Sequence, residues 1–210
     1  GEEDLRAFFK EYGPLLSASD WEAIYQAARR NDAANAPSGI EGALGQILFS
    51  ESPDTVATDA VRQEALHQGV VFAPADTTID RLPADVKAWL ATDEGTSALV
   101  GLTPEEAAKA AGAFDVMTTD QILVLNPDLA SGQVPEGAAL MLRPQAVRLG
   151  PGESVGDLAL QLDVSKETLV AFNREYQPGY DPDKASVRDL VFIPPEGWAG
   201  PQTVGVSPQG

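Results

Sequence analysis

The chain has no cysteine, a single histidine and two methionines among its 210 residues. Without cysteine there is no disulfide framework, no thiolate zinc or iron–sulfur site and no thiol nucleophile. With His67 alone a two-histidine zinc-hydrolase motif cannot be built, and any serine–histidine–acid triad would have to use that one ring. Positive charge is also scarce: 14 Lys and Arg face 32 Asp and Glu, a formal net charge of −18. Such a polyanion is a poor match for nucleic acid, which is held by Lys and Arg on phosphates, and for anionic membrane surfaces. No apolar run approaches the ~18 residues that a spanning helix needs, so no membrane insertion is expected. The chain starts at Gly1 rather than Met and shows no signal segment, which reads as a processed or excised chain.

What is present is an ordinary globular composition, 43% hydrophobic and 22% charged, of a length that suits one or two domains. Leu5, Phe8, Phe9 and Tyr12 fall on one helical face, and Gly13-Pro14 ends that helix. Ser19 and Glu22 are spaced as a capping box for a second helix carrying Trp21, Ile24, Tyr25 and Ala28. Residues 31–39 read as a loop, and 40–49 have helical spacing weakened by Gly42 and Gly45. Ser52-Pro53 opens a further helix closed by Gly69, Val70-Val71-Phe72 reads as a short strand, and Leu82-Pro83 opens a helix with Val86, Trp89 and Leu90. Trp21 and Trp89 read as core, and His67 as an ordinary helical residue. Nothing in residues 1–95 attaches to a chemistry.

Beyond residue 95 one pattern occurs twice: a short apolar stretch, a helix, a tight turn, a second helix ending in Asn, a loop, and an apolar strand closed by Pro. In the later copy the opening strand is 146–149, Gly150-Pro151-Gly152 turns, Ser154 caps a helix bearing Val155, Leu158, Ala159 and Leu162, and Ser165 caps the next. Val164 and Leu169 are placed as a hydrophobic staple, Phe172-Asn173 ends the helix, and 190–193 closes before Pro194-Pro195. In the earlier copy 98–100 is the expected opening strand, Thr103 and Glu106 a capping box, Thr118 and Gln121 another with Met117 and Ile122 as staple, Leu125-Asn126 the helix end, and 140–142 the closing strand before Pro144. The expected architecture is therefore α+β: an α-helical region over 1–95, two βααβ modules over 97–144 and 146–197, and a tail over 198–210.

The later copy resembles a LysM domain in its opening 147–154, where Glu153-Ser154 stands in the Asp-Thr positions, in Asp163-Val164-Ser165 through Asn173, and in Val191-Phe192-Ile193-Pro194. Its loop 174–188 is longer than usual, and Arg188-Asp189 stands where Gly-Gln is common. The earlier copy is more divergent, with Gly101-Leu102-Thr103-Pro104 in place of the turn, but Asn126-Pro127-Asp128-Leu129 and Val134-Pro135-Glu136-Gly137 resemble the family closely. LysM modules bind glycans containing N-acetylglucosamine in a shallow groove between the turn before the first helix and the loop after the second, largely through backbone groups. The resemblance implies binding residues Gly150, Pro151, Gly152, Glu153, Ser154, Asn173, Gly179 and Tyr180 in the later copy. In the earlier copy it implies Gly101, Leu102, Thr103, Asn126, Pro127, Asp128 and Leu129.

Each has a plainer reading. Asn126 and Asn173 also suit helix ends, the 150–152 glycines suit a turn, and Tyr180 can pack its own loop. Asp181-Pro182-Asp183 and Asn126-Pro127-Asp128 lack the ordered spacing of a calcium loop, and no metal or cofactor is expected. No carboxylate pair is marked out for glycosidase chemistry, so the expectation is not an enzyme. It is a non-catalytic binder of peptidoglycan or a chitin-like glycan in the cell envelope or outside the cell, gaining by tandem modules. The alternative is a structural adaptor contacting other protein subunits in a phage-tail-like or other assembly.

Overall fold

The computed structural model describes residues 2–30, 54–92, 118–198 and 200. Two compact units are formed, Gly1–Arg143 and Pro144–Gly210. The mixed α+β class is as expected, but the earlier repeat and the N-terminal helices share unit 1, so the division expected near residue 95 falls inside it.

In unit 1, α1 (Glu2–Tyr12) and α2 (Ala18–Arg30) are followed by α3 (Asp54–His67) and strand β1 (Val70–Phe72). Then come β2 (Thr77–Thr78), α4 (Leu82–Leu90), α5 (Thr119–Leu125), β3 (Gln133–Val134) and β4 (Ala139–Met141). The closing strand β4 pairs antiparallel with β1, Val71 opposite Leu140. The opening strand expected at 98–100 lies outside the described residues, as do the helices expected in 40–49 and 103–112, Ser52-Pro53, and Met117 of the staple.

The β1–β4 pair is buried on both faces. Val70, Phe72, Ala139 and Met141 face a cluster with Leu5, Phe9, Trp21, Ile24, Tyr25 and Val61, whereas Val71 and Leu140 face a second with Leu82, Ile122, Leu129 and Val134. A strand buried on both faces needs an uninterrupted apolar run, which Val70-Val71-Phe72-Ala73 supplies. Trp21 is fully buried and stacks on Phe9 at 5.0 Å, and Tyr25 stacks on Phe72 at 4.1 Å.

The cap of α2 also differs from expectation. Asp20 N donates to Ser17 Oγ, and Ser17 N donates to Asp20 Oδ2, so the box is Ser17 with Asp20. Glu22 is thereby released from the cap and reaches β4 instead, where its Oε1 accepts from Ala139 N at 3.0 Å. Arg143, just past β4, donates to the carbonyls of Gln68, Pro14 and Gly13, tying the ends of α3 and α1 together. Burial pushes this guanidinium down to about 10, so it stays charged at neutral pH. Gly69, at φ 72, closes α3 as expected.

Unit 2 contains β5 (Ala146–Arg148), α6 (Val155–Gln161), α7 (Lys166–Tyr176) and β6 (Leu190–Phe192). β5 and β6 pair antiparallel, Val147 opposite Val191, over a core of Leu149, Val155, Leu158, Leu169 and Val191. Ser154 caps α6, Ser165 caps α7, and Thr118 caps α5. Val164 packs against the same cluster as Leu169, as a staple requires.

Candidate functional site

The two sheets have the same register and the same edge device. In unit 1, Leu142 N donates to Gly69 O, and Gly137 N to Ala73 O. In unit 2, Ile193 N donates to Gln145 O, and Arg188 N to Leu149 O. Gly137 and Arg188 therefore correspond, and both have positive φ, 82 and 70.

Asn126 and Asn173 correspond as well. Asn126 Nδ2 donates to Ile122 O and Met141 O, and its Oδ1 accepts from Met141 N, at 2.9, 2.9 and 2.7 Å. Asn173 Nδ2 donates to Leu169 O and Phe192 O, and its Oδ1 accepts from Phe192 N, at 2.8, 2.9 and 2.7 Å. A side-chain amide carries the N–H and C=O of a peptide, so each Asn pairs with the closing strand as a neighbouring residue would, and its second N–H holds a carbonyl one helical turn back. Asn126 and Asn173 are 5% and 0% exposed. Their amides are occupied by the fold.

In unit 2 a groove of ≈ 480 Å³ runs between the turn before α6 and the loop before β6. One wall is Gly150, Gly152, Glu153, Ser154, Val155 and Gly156, and the other is Pro182, Asp183, Ala185 and Val187, with Lys166 between them in the chain. Gly152 takes φ 73, and an added Cβ there would meet nothing within 4 Å. The turn is locked by Glu153, whose Oε1 accepts from Gly150 N and whose Oε2 accepts from Gln161 Nε2. Ser154 and Asp157 form a capping box, and its hydrogen bonds hold the Asp157 carboxyl below its ordinary value. The far wall is set by the short helical turn Pro182–Lys184, by Ser186 N and Oγ donating to Asp189 Oδ2, and by Arg188. Val187 is 53% exposed. The arrangement presents exposed backbone at Gly152, half-buried backbone at Gly150 and Gly156, two small apolar side chains, and charges of both signs.

Of the expected residues, Gly150, Gly152, Glu153 and Ser154 are brought together in the groove, and Pro151 lies exposed in the same turn. Gly179 and Tyr180 do not line it. Tyr180 packs against the unit 2 core with its hydroxyl buried, and this burial, with Asp189, raises its pKa. In unit 1, Leu129 is buried, Pro127 and Asp128 are exposed on a short helical turn, and Gly101, Leu102 and Thr103 lie outside the described residues. Sequence reasoning missed Val155, Gly156, Lys166, Pro182, Asp183, Ala185 and Val187. Asp181-Pro182-Asp183 is visible in the sequence, but its composition raises only the question of calcium.

In unit 1 the corresponding walls touch. Counted from the sheets, 74–78 corresponds to 150–154 and 132–136 to 183–187. These segments pair as β2 and β3, Thr77 opposite Val134 and Thr78 opposite Gln133. Ile79 N donates to Gly132 O, and Glu136 N to Asp76 Oδ1. A separate hollow of ≈ 600 Å³ lies among Pro74, Asp76, Thr78, Arg81, Asp85 and Gln133, and Thr77 Oγ1 donates to Asp85 there.

Among the described residues no cluster of three or more His, Asp or Glu could hold a metal, and no helix is long and apolar enough to cross a membrane. No family model, curated protein or solved structure matches this chain.

Proposed function

We propose that unit 2 is a non-catalytic LysM-like module that binds a glycan containing N-acetylglucosamine, peptidoglycan or a chitin-like polymer, and anchors a larger protein at the cell envelope. The observation that carries this reading is the groove between 150–156 and 182–187, with the exposed backbone of Gly152 on one wall and Ala185 and Val187 on the other. An N-acetylated sugar offers hydroxyls and an amide to backbone groups and a methyl to the apolar side chains. Each such hydrogen bond contributes about 1 kcal/mol net, so binding to one groove is weak and needs no charged or metal-bearing centre. Co-sedimentation of the intact chain with purified peptidoglycan and with chitin tests it. Retention on either supports the reading, and absence of a folded sample from both pellets overturns it.

A second reading, a structural adaptor docking another protein, is favoured by one feature of unit 1. There the corresponding wall already holds a polypeptide strand, 77–78 against 133–134. A stable stoichiometric protein complex in native purification, with no glycan retention, is the outcome it predicts.

A further inference from the structure

We infer that unit 1 is a self-closed copy of the module, so that the described residues present one groove of this kind, in unit 2, rather than two. The closure rests on geometry alone, and its consequence for glycan valency rests on the reading above.

The frames to be compared are fixed by correspondences that do not involve the groove. The sheet registers match bond for bond, the left-handed residue before the closing strand recurs as Gly137 and Arg188, and the asparagine clamps make the same three bonds. Within those frames the chain leaving the first strand takes two courses. In unit 2, Gly150-Pro151-Gly152 turns sharply into α6 and leaves the walls apart. In unit 1, Pro74-Ala75-Asp76 leads instead into the extended Thr77–Thr78, which runs along 132–136 and hydrogen-bonds to it.

The peptide groups that a ligand would meet at this wall are thus engaged by the protein itself. Val134 on the closed wall is 1% exposed, whereas its counterpart Ala185 lines the open groove. The side chains agree with the closure. Asp76 caps Glu136 N, and Asp85 of α4 accepts from Thr77 Oγ1, holding the strand from its other side.

One such groove among the described residues removes the gain that tandem sites would give. Two linked sites on a polymer raise avidity by roughly 10²–10⁴ over one. A single-groove chain binds a long polymer, per exposed site, about as tightly as it binds an oligomer that fills the groove.

The experiment uses the intact chain and a soluble tetramer of N-acetylglucosamine. Titration followed by amide chemical shifts is expected to give one site per chain, with shifts confined to 150–156, 166 and 182–187. Two sites, or shifts at 74–79 or 132–136, overturn the inference.

A second measurement decides the closure whatever the glycan does. The chain has no cysteine, so Thr78→Cys with Gln133→Cys introduces the sole thiol pair, on a half-buried and an exposed residue that face each other across the ladder. Mild oxidation is expected to give a quantitative intrachain disulfide with an unchanged circular dichroism spectrum and unchanged glycan stoichiometry. A pair that stays reduced, or a locked variant that loses bound tetramer, contradicts it. Absence of any shift in the titration, with the disulfide formed, would overturn the glycan reading and leave the closure standing.

Discussion

Units 1 and 2 are built on the same two-stranded frame and differ in what is laid against it. In unit 1 both faces of the β1–β4 pair are covered, one by α1, α2 and α3 and the other by α4 and α5. Residues 144–198 contain no counterpart of the three N-terminal helices, and Arg148, Leu190 and Phe192 are only partly buried. The groove walls follow the same division, joined in unit 1 and apart in unit 2. Charge divides the same way: residues 144–210 carry nine acidic and five basic side chains, a net −4, which leaves −14 of the −18 on residues 1–143. The acidic excess therefore belongs mainly to the unit without the open groove, and a neutral glycan in unit 2 does not have to account for it.

The most damaging changes to either frame are at the asparagines. Asn126→Ala and Asn173→Ala each strand a closing-strand N–H and C=O in a buried setting and should each cost about 3 kcal/mol. Urea unfolding of the two variants measures this, and a cost confined to one of them would break the equivalence of the clamps. Arg143→Ala acts on unit 1 alone. It removes the donors from the Gly13, Pro14 and Gln68 carbonyls and should cost about 2 kcal/mol, seen as earlier loss of unit 1 amide protection while unit 2 amides are unchanged.

The left-handed position sharpens the comparison in opposite directions. Arg188→Gly relieves an unfavourable φ and should stabilise unit 2 by up to about 1 kcal/mol in thermal unfolding. Gly137→Ala should destabilise unit 1, because its Cβ would lie 2.8 Å from Gln26 Nε2 as well as at φ 82. The smallest effect is on the caps. The folded-state pKa of Asp157 is lowered, so its contribution is present above its ordinary value of 3.8 and is lost as pH falls through the lower folded value. The α5 box uses the neutral Gln121 instead. Acid should therefore lower the exchange protection of the Ser154 amide, which donates to Asp157, before that of the Thr118 amide, which donates to Gln121.

Local features of this fold were legible in the chain. The caps at Thr118, Ser154 and Ser165, the glycine stop at Gly69 and the strands at 70–72, 146–148 and 190–192 follow from short-range spacing, and the structure contains them. Long-range pairing was not legible in the same way. Spacing within the repeat does not indicate that β4 pairs with Val70–Phe72, a run outside the repeat whose three residues are all buried.

Ser17-x-x-Asp20 and Ser19-x-x-Glu22 are alike as caps. Only the packing of Ala139 against α2 shows why Glu22 is needed elsewhere. Half of the groove was legible, the half made by the glycine turn. The other half comes from a long loop with no periodicity, and the asparagines that resemble site residues are committed to the sheet edge.

The most direct test of a glycan groove in unit 2 is calorimetric titration of the N-acetylglucosamine tetramer into Gly156→Tyr and Gly156→Ala. Gly156 lines the groove, does not have positive φ, and an added Cβ makes only ordinary contacts, 3.6 Å to Ser154 Oγ and 3.8 Å to Lys166 Cδ. Both variants should fold, the alanine variant gaining up to about 1 kcal/mol from helix propensity. The account predicts that Gly156→Ala binds the tetramer as the parent does and that Gly156→Tyr, with a ring in the groove, loses at least tenfold in affinity. Equal binding by the two folded variants would contradict it.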